Sequence, residues 1–136
     1  MQRLTVLRVS VCFTAMLLVS SAVLAAEHTK DSLDTVKEKL KAKEALLVDV
    51  REKGEWDEGH VKNAEFGPLS DLKDADKLEK LLKQLSKDKV LYLHCRSGRR
   101  CLNAAEILQK KGYDVRPLKQ GYDDLVKAGF EKVNEK

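Results

Sequence analysis

Cysteine, proline and aromatic residues are all scarce in this chain. Among 136 residues there are three Cys and two Pro, and aromatics make up 5%. Three Cys are too few for a disulfide scaffold. Two Pro and seven Gly exclude collagen-like and low-complexity classes. His28, His60 and His94 lie far apart in the sequence, so no metal-ligand spacing exists and no metal is expected. An excess of one charge is missing too: 26 Lys plus Arg face 22 Asp plus Glu, a net of +4. That balance gives no argument for a nucleic-acid partner. The Lys-rich stretches around Lys37–Lys43 and Lys77–Lys83 read as solvated helix faces. No internal repeat appears. What remains is a chain 43% apolar and 35% charged, enough for one packed domain.

One long uncharged run is present, and it opens the chain. Arg3 and Arg8 precede a stretch from Val9 to Ala26 without any charge, closed by Ser20, Ser21, Ala22, Ala25 and Ala26. A basic start, an apolar middle and a small-residue end describe a secretory signal peptide over residues 1–26. Cleavage after Ala25 and cleavage after Ala26 both fit. An uncleaved anchor is the alternative, but a spanning helix needs roughly 20 apolar residues and these serines and alanines weaken the run. The expectation is an exported, periplasmic protein, without stable membrane association once cleaved. Residues 27–136 then form a single domain, and its two cysteines, Cys95 and Cys101, sit in an oxidising compartment.

Residues 27–31 are a short polar lead. Leu33, Val36 and Leu40 recur at helical spacing and predict a helix over Ser32–Lys43, capped by Asp31 or Ser32. Ala45–Val50 (ALLVDV) is a continuous apolar run of strand length, as expected for a central parallel strand covered on both faces. Glu52–Val61 is a polar connection with a helical turn near Trp56. Ala64–Phe66 predicts a very short strand and Pro68 a turn. Leu78, Leu81, Leu82 and Leu85 stripe a helix opened by Asp74 or Asp76. Val90–His94 (VLYLH) is a second clear strand. Leu102, Ala105, Ile107 and Leu108 mark a helix opened by Cys101 and ended at Gly112, followed by a strand at Tyr113–Arg116 and a last helix at Tyr122–Ala128. This alternation predicts an α/β fold, a parallel central sheet with helices on both faces.

The chemistry concentrates in Cys95–Arg100 (CRSGRR), between a strand and a helix. Ligands of open α/β sheets bind beyond the carboxyl ends of strands. N–H groups at a helix start lack internal partners, and Gly98 permits the backbone angle that curls such groups into an anion-binding nest. Arg96, Arg99 and Arg100 add positive charge. Free Cys titrates near ~8.5, and such surroundings lower it to roughly 3.5–7.5. The expectation is a thiolate at Cys95 facing a small anion pocket.

These residues carry a resemblance. The chain resembles a single-domain rhodanese, a thiosulfate sulfurtransferase of three-layer α/β/α fold, over roughly residues 45–130. The similarity rests on LLVDVRE at 46–52, Glu55-Trp56, Gly59-His60-Val61, PLSDL at 68–72 and HCRSGRR at 94–100. It implies a persulfide on Cys95 that carries a sulfane sulfur from thiosulfate, or a similar donor, to cyanide or a thiol. It implies that Arg96, Ser97, Gly98, Arg99 and Arg100 surround the anion. It also implies that Asp49 and Arg51 brace the loop, although an ordinary ion pair between them is the alternative. No cofactor is implied, and a monomer is expected. Three departures stand out: Asn63-Ala64 replaces a common Gly-Ala, Gln120-Gly121-Tyr122 replaces two glycines and a Trp, and Cys101 stands where Ser or Thr is common.

Three rivals share the loop. A phosphatase of related fold would need Arg six positions after Cys95, where Cys101 stands, and the shorter loop favours a sulfur-sized acceptor. A thiol–disulfide protein would use Cys101 as a resolving thiol against Cys95, the plainer alternative being Cys101 packed in the core. A persulfide carrier would hold sulfur on Cys95 without turnover. An already ionised nucleophile requires no base, so His60 and His94 are expected to be structural.

Overall fold

The computed structural model describes residues 25–134. The expected signal peptide lies outside the described residues, apart from Ala25 and Ala26. Among the described residues no helix is long and apolar enough to cross a membrane.

The apolar run becomes strand β1 (Ala45–Asp49), and VLYLH becomes β4 (Val90–His94). They pair in parallel over five positions, from Ala45 opposite Val90 to Asp49 opposite His94. β3 (Glu65–Phe66) and β5 (Val115–Pro117) flank them, giving the parallel order β3-β1-β4-β5. Both central strands are buried on both faces, which is why their sequences read as unbroken apolar runs. Leu91 and Leu93 face a core built with Leu78 and Leu81 of α4 (Ala75–Leu82) and with Ala104, Ala105 and Leu108 of α5 (Arg99–Lys110). α3 (Leu69–Leu72) adds Leu69 and Leu72 to the same core. Leu47 and Tyr92 face the opposite core, closed by Val36 of α1 (Leu33–Lys41) and Leu125 of α6 (Tyr122–Lys127). Helices thus cover both faces, as expected.

Ser32 caps α1 and Asp74 caps α4 through their side-chain oxygens. Helix α1 stops short of Lys43 because that residue takes φ +60°, a left-handed conformation. β5 starts two residues later and ends one residue later than expected, on Pro117. It is an edge strand, where a residue without an N–H is tolerated. The polar connection holds α2 (Lys53–Asp57), whose Trp56 is buried. One feature was not anticipated: β2 (His60–Val61) pairs antiparallel with β6 (Lys132–Val133), bringing the C-terminal segment over Gly59.

The polar lead is no loose tail either. Ala26 packs against the α5-side core, and the Thr29 N–H donates to the Pro117 carbonyl at 2.8 Å. Asp31 accepts from the hydroxyl of buried Tyr92 and from Arg116, the latter at 2.9 Å. These donors hold the Asp31 carboxyl below its ordinary range.

Candidate active site

Cys95 is the first residue beyond β4 and is fully buried. The chain then turns through Arg96 and Ser97 to Gly98, which caps α5 with φ +82°. A side chain at Gly98 would be strained there and would approach the Lys119 carbonyl to 2.8 Å. Because Gly98 ends the turn, α5 starts at Arg99, not at Cys101 as expected. Cys101 is thereby carried into the first helical turn, with its side chain fully buried.

This geometry aims donors at one sulfur. The Cys101 thiol and the backbone N–H groups of Ser97, Cys101 and Gly98 surround the Cys95 sulfur and favour its charged form. The Gly98 N–H lies 3.1 Å from Cys95 Sγ. Burial alone would favour the neutral thiol, but the donors outweigh it and bring the Cys95 pKa down to about 5. At neutral pH the group is therefore a thiolate. The same contact pushes the Cys101 thiol far up, since losing its proton would leave two buried anions side by side.

The three loop arginines take different positions. Arg96 and Arg99 are exposed. Arg100 forms a two-point ion pair with Glu55 of α2, at 2.6 and 2.8 Å. That pair lowers the Glu55 carboxyl to about 2. Arg100 thus ties the loop helix to α2 while its charge still interacts with Cys95, and the thiolate itself rests on amides and a thiol.

Asp49 and Arg51 form a buried pair. The Arg51 Nη2 donates to Asp49 Oδ2 at 2.6 Å and to the Gly59 carbonyl at 2.8 Å. Asp49 lies 3.5 Å from His94 Nε2, beside Cys95 in the chain. The Arg51 guanidinium stacks on the Tyr122 ring with its carbon 4.0 Å from the centroid, and the Tyr122 N–H donates to the Cys95 carbonyl at 2.8 Å. The pair therefore reaches the loop through His94 and Tyr122.

His60 stacks on Trp56 at 3.6 Å, and burial pushes the His94 pKa down, keeping that ring neutral. Neither histidine meets the thiolate as a base, in keeping with structural roles.

Sequence reasoning missed two contacts. His28 Nε2 donates to the Gly98 carbonyl at 3.0 Å, pinning the loop from the N-terminal segment. Gly121 presses so closely on the Arg96 carbonyl that a side chain there would overlap it. Neither had a local signal, since both join residues remote in sequence.

The family model described as a Rhodanese-like domain matches residues 32–128. The chain belongs to the rhodanese-like domain family. It is 36% identical over 81 residues to the uncharacterised protein YqhL of Bacillus subtilis, covering 59% of this chain and 60% of that protein. It is 35% identical over 78 residues to a putative mitochondrial thiosulfate sulfurtransferase of Schizosaccharomyces pombe, covering 52% of this chain and 55% of that one. The chain thus spans less than two thirds of either relative. Among solved structures, protein HP1203 of Helicobacter pylori is 39% identical, with a TM-score of 0.56 over 68% of this chain and 81% of that chain. A rhodanese-related protein of Thermoplasma volcanium has a TM-score of 0.61 at 26% identity, over 75% of this chain and 94% of that one. In this rhodanese-like domain the Cys95 loop is the one between β4 and α5.

Proposed function

We propose that the protein is a thiosulfate sulfurtransferase working through a Cys95 persulfide. The observation that carries this reading is the Cys95 sulfur, held as a thiolate near pKa 5 by three amides and the Cys101 thiol. The thiolate attacks the outer sulfur of thiosulfate. A new S–S bond forms, the old one breaks, and sulfite leaves with the electron pair. Cyanide then attacks the outer sulfur of the anionic persulfide and leaves as thiocyanate, returning the thiolate. A thiol acceptor takes the sulfur in the same way. No base takes part, because the nucleophile is ionised from the start. The amides that hold the thiolate also hold the anionic persulfide, which supplies electrostatic stabilisation without reorganisation.

Mass spectrometry of the thiosulfate-treated protein tests the reading. One added sulfur atom on Cys95 is expected, and Cys95→Ser takes up none. Steady-state thiocyanate formation separates an enzyme from a persulfide carrier, and a carrier would load sulfur without turnover. The resolving-thiol alternative is disfavoured by Cys101 itself, which is buried, protonated and a donor to Cys95.

The uncharged run at Val9–Ala26 supports an exported, periplasmic protein. N-terminal sequencing of the protein recovered from a periplasmic extract is expected to begin at Ala26 or Glu27.

A further inference from the structure

A cleft of about 410 Å³ opens at the end of the sheet remote from Cys95. Ala45 and Lys89 line it, at the amino-terminal ends of β1 and β4, whereas Cys95 follows the carboxyl end of β4. The length of β4 lies between them, roughly 17 Å of extended chain. The volume falls within the range of small-molecule sites, roughly 300–1,000 Å³.

The cleft has an apolar floor. Leu47, Val61 and Phe130 line it as buried residues, while Leu40 and Leu46 are only half-buried, so apolar surface stays open to water there. Its charge is of one sign. Four lysines, Lys41, Lys43, Lys62 and Lys89, share the lining with a single carboxylate, Glu131. Lys62 and Glu131 neutralise each other at 2.8 Å. Lys41, Lys43 and Lys89 enter no ion pair among the described residues. Other clefts mix their charges. The one beside the loop sets Arg96 and Lys132 against Glu58 and Asp123, and the groove along Trp56 sets Lys77 and Lys80 against Glu65 and Asp71.

Solvated lysines alone mark no site. Unpaired lysines around an open apolar floor ask two things of one molecule, an apolar body and a negative head. A small inorganic anion would leave the floor wet, and an apolar cation would meet three like charges.

We infer that this cleft binds a free medium-chain carboxylate, its alkyl chain over Leu40, Leu46 and Phe130 and its head among Lys41, Lys43 and Lys89. The site is separate from the Cys95 loop and stands independently of the sulfur-transfer reading.

Titration of the isotopically labelled protein with octanoate, 1-octanol and octyltrimethylammonium, all below micelle formation, tests the inference. Octanoate is expected to saturate one site and to shift the methyl signals of Leu40, Leu46 and Val61. It should bind about tenfold tighter than 1-octanol, with octyltrimethylammonium weaker still. Hexanoate should bind about 15-fold more weakly than octanoate, because each buried methylene is worth about fourfold. Lys43→Gln combined with Lys89→Gln is expected to weaken octanoate about tenfold and to leave 1-octanol unchanged, a control for altered folding. Equal affinity for the three head groups overturns the inference, and so does equal affinity for hexanoate and octanoate. Methyl shifts confined to other residues, or octanoate binding untouched by the double substitution, overturn it as well.

Discussion

Cys101 is first among the donors to the Cys95 sulfur, so its replacement is the most direct probe of the thiolate. A hydrogen bond to a charged group contributes about 1.5–3 kcal/mol, equivalent to roughly one to two pH units. Cys101→Ala is therefore expected to raise the Cys95 pKa by about that amount. Cys101→Ser keeps a donor and should move it much less. The rate of alkylation of Cys95 as a function of pH measures both. The same shift links titration to folding. Because the folded-state value lies below that of the unfolded chain, the thiolate stabilises the fold in full above the ordinary cysteine value. That contribution is lost as pH falls through about 5. The stability advantage of the wild type over Cys95→Ser in urea should therefore shrink as pH is lowered through this window. Arg51 poses a different problem. Its removal strands Asp49, which is fully buried, and breaking such a pair costs about 3–5 kcal/mol. Arg51→Ala should show this loss in urea midpoints, and Arg51→Lys should recover part of it because the charge remains while the two-point geometry is lost.

At the scale of elements, the loop is fixed by what abuts it. Helix α6 begins against the loop: Gly121 touches the Arg96 carbonyl, and the Tyr122 N–H holds the Cys95 carbonyl. Gly121 has extended backbone at φ −86°, so an alanine there is not strained by conformation. Its Cβ would instead overlap Arg96 and push the loop away from α6. Displacements of about 1 Å at a reactive centre cost on the order of 100-fold in rate. Gly121→Ala is expected to lower thiocyanate formation 10- to 100-fold, with circular dichroism reporting a retained fold. The α2–α5 contact is softer. Glu55 and Arg100 are about a quarter exposed, so their ion pair is partly screened. The carboxyl value near 2 signals tight pairing, but the stability at stake in Glu55→Gln is at most about 1 kcal/mol.

For the molecule as a whole, the buried pattern was the legible part. β1 and β4 announced themselves because strands covered on both faces need unbroken apolar runs. The place of the Cys95 loop, between a strand and a helix, was legible because Cys, Gly and Arg residues crowd six positions right after the VLYLH strand. β2 and β6 were not, since two-residue strands have no period to read and form only when remote segments meet. The engagement of Arg100 with Glu55 was hidden for the same reason, being a contact across 45 positions. The N-terminal strap was the least visible, because polar residues without periodicity look like a tail. Its contacts nevertheless tie three places together: Ala26 to the α5-side core, His28 to the Gly98 carbonyl, and Asp31 to Tyr92 and Arg116. A chain starting at Ser32 keeps α1 and its cap but loses all of these. The Tyr92 hydroxyl then loses its carboxylate partner, and a buried group left unpaired costs about 1–3 kcal/mol. The shortened chain should unfold at lower urea by that amount. Its loop should loosen as well, since the Gly98 carbonyl loses the donor that fixes the turn. His28→Ala separates the two effects: the contact with Asp31 remains, so stability should fall little, while sulfur transfer should drop if the strap holds the loop in register. Equal transfer rates for His28→Ala and wild type would reduce the strap to a stabilising segment with no part in positioning Cys95.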